Sequence, residues 1–217
     1  MILHGASVSP FVRKVLVYAA EKGLALEYRA VGIGPKTPEF MALSPFGKIP
    51  AFEDGDYGLC DSTAIVTYLE ALHPAPELIP SEPRARGRAI WFEEFADTIM
   101  VGQLGPVFFN RVLAPMLGMP ADTAAADKGA TEHWPKIADY LESAIPASGY
   151  LIEDRLTIAD IAVAAPLVNA GYAGLMPDAA THPKLHGYAH AILGRASFAD
   201  AIARDKKMIG LDNPYGK

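Results

Sequence analysis

Cysteine is nearly missing from this chain: its 217 residues include a single one, Cys60. An internal disulfide framework is thereby excluded, and the composition suits a reducing compartment. Positive charge is also in short supply. There are 19 lysines and arginines against 25 acids, and the net charge of -6 argues against a general nucleic-acid binder. No apolar run approaches the ~20 residues of a membrane-spanning helix, and no signal-peptide pattern opens the chain. With 51% hydrophobic and 20% charged residues, the composition is that of a globular chain long enough for one large or two modest cores. A cytoplasmic enzyme or binding protein, meeting neither membrane nor nucleic acid, is the expectation.

The elements that are present fall into two groups. Met1 to His4 reads as a short strand, Ser9 to Lys22 as a helix closed by Gly23, and Leu26 to Val31 as a second strand. This strand-helix-strand opening predicts a parallel pair in a small α/β unit. The Gly32-Ile33-Gly34-Pro35-Lys36-Thr37 stretch lacks the Gly-Lys-Ser/Thr ending of a phosphate loop, and Pro35 removes an N–H, so it reads as a turn before a short helix over 38–43. Strands follow from Pro50 and over Tyr57 to Cys60, then a helix from Asp61. The proline-dense connector after His73 marks a change of pattern. Beyond it, helices are expected over 84–113, 121–145, 157–172, 183–193 and 198–203, an all-helical second domain.

Three places in the first unit carry candidate chemistry. Ser9 before Pro10 is a helix-start signal, and an ordinary N-cap is one reading. Ser9-Pro10-Phe11-Val12 also has the outline of the Cys-Pro-aromatic-Cys of thioredoxin-fold oxidoreductases, with a hydroxyl and a valine in place of both thiols. Disulfide exchange is excluded there. A hydroxyl at a helix N-terminus still favours an anion such as a thiolate, which would have to arrive with a ligand. Pro50 either starts an edge strand or follows a cis Ile49-Pro50 bond that turns the Ile49 N–H and C=O toward an extended peptide. Asp61 and Ser62 either cap the next helix or hold the ammonium and carboxylate of an amino acid.

Elsewhere the signals are structural. Thr157 and Asp160 fit a capping box, with Leu156 and Ile161 as the hydrophobic staple across it. Trp91, Phe92 and Phe95 lie at helical spacing and read as core or interface aromatics, while Phe108, Phe109 and Tyr172 are candidates for an apolar pocket. His182, His186 and His190 recur every four residues, but without a paired carboxylate or cysteine no metal site is assigned.

Taken in order, Ser9-Pro10 before Arg13, Gly47-Lys48-Ile49-Pro50, Asp61-Ser62 with Ala64-Ile65 and Tyr68-Leu69, and Leu156-Thr157-Ile158-Ala159-Asp160-Ile161 resemble the cytosolic glutathione S-transferase family, in its bacterial, serine-type, theta- or phi-like form. The resemblance implies a thioredoxin-like α/β domain over 1–77, a linker over 78–84 and an all-α domain over 85–217. It implies a homodimer with glutathione as cosubstrate. Carried over by position, Ser9 would hydrogen-bond the glutathione sulfur, with the Ser7 hydroxyl two residues earlier as the alternative, and Ile49 would offer its backbone to the cysteinyl unit beside Pro50. Lys48 would approach the glycyl carboxylate, and Asp61 and Ser62 would hold the γ-glutamyl end. Phe11, Phe108 and Tyr172 are expected to line the pocket for a small hydrophobic electrophile. The expected activity is conjugation. Isomerisation, dehalogenation, ether cleavage or peroxide reduction on the same site, and a non-catalytic glutathione-binding scaffold, are the alternatives.

Overall fold

The structure, a computed structural model, describes residues 1–216. Its first part is a four-stranded sheet in the order β2-β1-β3-β4, from β1 (Ile2–Gly5), β2 (Glu27–Ala30), β3 (Ala51–Asp54) and β4 (Tyr57–Cys60). β1 and β2 are parallel, as the strand-helix-strand opening requires, and Leu3 pairs with Tyr28. β3 runs antiparallel to both β1 and β4. Helices α1 (Pro10–Glu21), α2 (Pro38–Leu43) and α3 (Ser62–Leu72) complete this mixed domain. Gly5 ends β1 because a side chain there would collide with Val12 of α1: a Cβ would lie 2.4 Å from Val12 Cγ2.

The second domain is all helix. α4 runs through residues 83–116, α5 through 123–144, and α6 (Ile158–Tyr172), α7 (Pro183–Leu193) and α8 (Ala196–Ile209) follow. α4 widens into π-helical turns at Phe95–Met100 and Phe109–Leu113, and α5 does so at Gly129–His133. The last two each precede a proline, Pro115 and Pro135. A proline supplies no N–H and crowds the carbonyl four residues back, so the helix widens rather than breaks. The connector between α3 and α4 is packed rather than loose. Leu78 and Ile79 are buried, the Leu78 carbonyl accepts from the Ile158 N–H, and α4 already begins within the expected linker at Pro83.

α6 is the axis of the core, with thirteen of its fifteen residues, Ile158 through Ala170, buried. Its start is the capping box read from the sequence. The Asp160 carboxylate accepts from the Thr157 N–H and from the Leu151 N–H, each at 2.9 Å. It also accepts from the Thr157 hydroxyl. Ile161 is fully buried and Leu156 packs against the same cluster. α8 is longer than its apolar pattern predicts, continuing to Ile209, because Asp205 is buried against α1 and Met208 packs inward.

Asp160→Ala should therefore lower stability and spare the ligand site. Losing a cap and orphaning its buried donors costs about 2–4 kcal/mol. In a chain of this size that is a Tm drop of roughly 5–15 °C. Thermal denaturation checks the loss, and calorimetry should give an unaltered glutathione affinity.

Candidate active site

Ser9 stands where the β1–α1 loop enters the helix. Its N–H donates to the Ala6 carbonyl at 3.0 Å, and its Oγ lies 3.5 Å from the Val12 N–H it caps. In that cap the oxygen only accepts, so the hydroxyl hydrogen stays available to another acceptor. The first turn of α1 carries no acid, which leaves the positive end of the helix dipole unopposed. Ser7, two residues earlier, is only 3% exposed and lines neither of the clefts described next.

Two clefts meet at Ile49. An apolar one of about 290 Å³ lies between the domains and is walled by Ser9, Ile49, Leu104, Phe108, Phe109 and Met208, among others. A second of about 390 Å³ runs along the first domain and brings together Lys48, Ile49, Pro50, Asp61 and Ser62. The Ile49–Pro50 peptide bond is cis. All five residues expected to hold the tripeptide thus share one groove, and Ser9 lies on the adjoining cleft.

Two expected pocket residues are placed elsewhere. Phe11 lines the second groove with Lys48 and Asp61, because it lies on the turn facing β4 and α3. Tyr172 lies behind Phe108, with ring centroids 6.3 Å apart, and its hydroxyl turns 3.4 Å from Asp205 into the domain interface. Only Phe108 of the three lines the apolar cleft, where Phe109 accompanies it. His182 reaches Asp139 while the His186 and His190 rings meet at a tilt, and among the described residues no three His, Cys, Asp or Glu side chains converge as a metal site would require.

Asp61 holds an unusual backbone, with φ +80° and ψ 130°. Such a conformation in a non-glycine residue is retained only where its surroundings enforce it. Here Asp61 Oδ1 accepts from the Thr63 and Ala64 N–H groups at 2.9 and 3.0 Å, which tethers the N-terminus of α3, while the residue itself stays exposed. Ser62 beside it is 2% exposed. Beneath this corner the buried Lys14 ammonium bonds Glu93 and, at 2.5 Å, Asp97. Thr63 Oγ1 donates to Glu93 at 2.5 Å. Burial pushes the Asp97 carboxyl up to about 6, Lys14 pulls it back, and the negative charges of Glu93 and Asp61 raise it further. Sequence reasoning did not single out this cluster, although Glu93 and Asp97 at i and i+4 share a helix face.

The site's resemblance extends to whole-chain comparison. A model of the glutathione S-transferase N-terminal domain matches residues 3–77, and one of the glutathione S-transferase C-terminal domain matches 111–203. Glutathione S-transferase 3 of Zea mays is 31% identical over 207 residues, covering 93% of this chain and 92% of that protein. The chain belongs to the glutathione S-transferase family. Among solved structures, a glutathione S-transferase from Rhodospirillum rubrum superposes with a TM-score of 0.85 at 26% identity, over 93% of this chain and 91% of that one. The theta class glutathione S-transferase of Xanthomonas axonopodis pv. citri, solved with glutathione bound, gives 0.79 at 27% identity, over 92% and 95%. The transferase is an enzyme that takes glutathione as cosubstrate and conjugates it to electrophiles.

The Asp97 corner of the transferase has a measurable signature. A carboxyl held near 6 in the folded chain and at 3.8 when free binds a proton more tightly in the folded state. Its contribution to stability is present below about 4 and lost as pH rises through about 6. Asp160, raised by burial to about 6, acts in the same sense. Asp97→Asn should flatten part of the decline in Tm across that window, measured by thermal melts in matched ionic strength.

Proposed function

We propose that Ser9 activates the glutathione thiol at the junction of the two clefts, and that the thiolate then attacks an apolar electrophile seated between the domains. The observation carrying this reading is the shared position of Ile49. It lines both the groove holding Lys48, Asp61 and Ser62 and the apolar cleft containing Ser9. A tripeptide lying along the groove would pair its cysteinyl unit with the Ile49 backbone and deliver its sulfur toward Ser9. The exposed Asp61 carboxylate meets the γ-glutamyl ammonium, the α3 N-terminus at Ser62 meets the adjacent carboxylate, and Lys48 meets the glycyl carboxylate.

A free thiol has a pKa near ~8.5 and is mostly protonated at neutral pH. The Ser9 hydroxyl donates to the sulfur and the end of α1 adds partial positive charge, so the thiol loses its proton to solvent more readily. A hydrogen bond to a charged group contributes about 1.5–3 kcal/mol, or roughly one to two pKa units. The sulfur lone pair then forms the new C–S bond, and in a displacement the leaving group departs with the electron pair of the bond it breaks.

A serine-type, theta- or phi-like reading is supported by Ser9 being the hydroxyl open to the cleft while Ser7 is buried. A bacterial member is in keeping with the Rhodospirillum and Xanthomonas structures, each matched over more than nine tenths of this chain. A homodimer is supported by large aromatics left exposed, Phe46 at 88% and Trp91 at 44%. Sedimentation should give a particle of about twice the 23.2 kDa chain. Dependence on reduced glutathione and a lone free cysteine fit a cytoplasmic setting.

Ser9→Ala should raise the apparent thiol pKa of the binary complex by about one to two units and lower kcat/KM at neutral pH by about ten- to a hundredfold. An unaltered pH profile would remove Ser9 from the mechanism. Asp61→Ala should act differently, raising KM for glutathione by about tenfold with a smaller change in kcat. Steady-state kinetics with varied glutathione separates the two.

A further inference from the structure

Asn169, in the fourth turn of α6, stands on the wall of the apolar cleft beside Val8 and Ser9. It is 7% exposed, and both ends of its amide are engaged. Nδ2 donates to the Val8 carbonyl at 2.9 Å, and Oδ1 accepts from Arg13 Nη1 at 2.7 Å. This orientation is dictated by chemistry. A guanidinium only donates, so the amide oxygen must face Arg13 and the amide nitrogen must face Val8. Arg13 is itself fully buried, with further bonds to the Ala165 carbonyl at 2.7 Å and to Asp205 at 2.6 Å.

The Val8 carbonyl belongs to the peptide unit whose nitrogen is that of Ser9. A donor fixed on that oxygen sets the plane of the peptide, and with it the direction in which the Ser9 side chain leaves the backbone. Within the first domain the Ser9 hydroxyl has only its 3.5 Å contact to Val12, too long to hold it in one place. We infer that Asn169 is a positioning residue for the thiol-activating hydroxyl: the helical domain, through Val8, aims a serine that belongs to the other domain. This rests on the reading of Ser9 as the thiol's partner. Asn169 touches neither the sulfur nor the electrophile in this role and acts only through the peptide preceding Ser9.

The test compares Asn169→Ala with Asn169→Asp, reading the pH profile of kcat/KM, the thiolate absorbance of bound glutathione, and Tm. Both variants should raise the thiol pKa by about half to one unit, leaving about three- to tenfold less thiolate at neutral pH, with KM for glutathione changed less than about twofold. The aspartate keeps an acceptor toward Arg13, so this variant should melt above the alanine variant. It sets an acceptor against the Val8 carbonyl, however, so its thiol pKa should be displaced at least as far. A purely structural role would instead make the pKa follow the melting temperature. Should Asn169→Ala fail to fold, Asn169→Asp carries the test alone. A parental thiol pKa in the variants that fold overturns the inference.

Ser9→Ala measured alongside separates the two layers. If it raises the thiol pKa while the Asn169 variants do not, only the positioning role falls. If it leaves the thiol pKa unchanged, the Ser9 reading falls and the inference with it. Adding Asn169→Asp to Ser9→Ala should produce no further shift.

Discussion

A fully buried arginine cannot stand unpaired: removing an ion from water costs several kcal/mol, and that cost is offset only where enough well-placed acceptors surround it. Arg13 is such a residue, and its acceptors come from the far end of the chain, Ala165 and Asn169 on α6 and Asp205 on α8. The docking of the two domains brings these acceptors to both terminal nitrogens of the guanidinium. Breaking such a pair from one side typically costs about 3–5 kcal/mol, more than most single contacts supply. The bidentate pairing of Arg195 with Glu21, at 2.8 Å for each nitrogen, ties the opposite end of α1 to the start of α8.

Lys14 is the neighbouring residue, and one helical step turns it to a different side of α1. Its acceptors are Glu93 and Asp97 on α4, and the Glu93 carboxylate is shared with Thr63 at the start of α3. Consecutive buried cations thus fasten one helix to both halves of the second domain and to the corner that carries Asp61 and Ser62. The site lies at the N-terminal end of this same helix. Its parts are held in register because α1 cannot shift without exposing or orphaning a buried charge.

This arrangement also accounts for the division of chemistry between the clefts. The polar side chains Lys48, Asp61 and Ser62 line a groove of the first domain. The neighbouring cleft is walled by apolar residues of the first domain and of α4, joined by Pro166 and Met208, with Ser9 and Asn169 as its polar side chains. On the proposed reading, the tripeptide's sulfur reaches the border of the two clefts, where a hydroxyl on an apolar wall counts for more than it would in solvent.

Much of this was legible in the residues alone, wherever the governing interaction is local. Ser9-Pro10, Thr157 with Asp160, and the Asp61-Ser62 pair act over one helical turn, and the cis Ile49–Pro50 bond is a property of one dipeptide in its strand context. The order and type of elements followed from hydrophobic period and from glycine and proline. The sequence did not reveal where Phe11 and Tyr172 would point, that α8 would continue to Ile209, or that Asn169 would reach back to Val8. Those outcomes depend on which helix faces meet across 150 residues of chain, and periodicity determines that a face is buried without naming its partner. Local chemistry was written in the sequence; the pairing of Arg13 and Lys14 with distant acceptors, and the cleft that pairing leaves open, were decided only when the domains closed on α1.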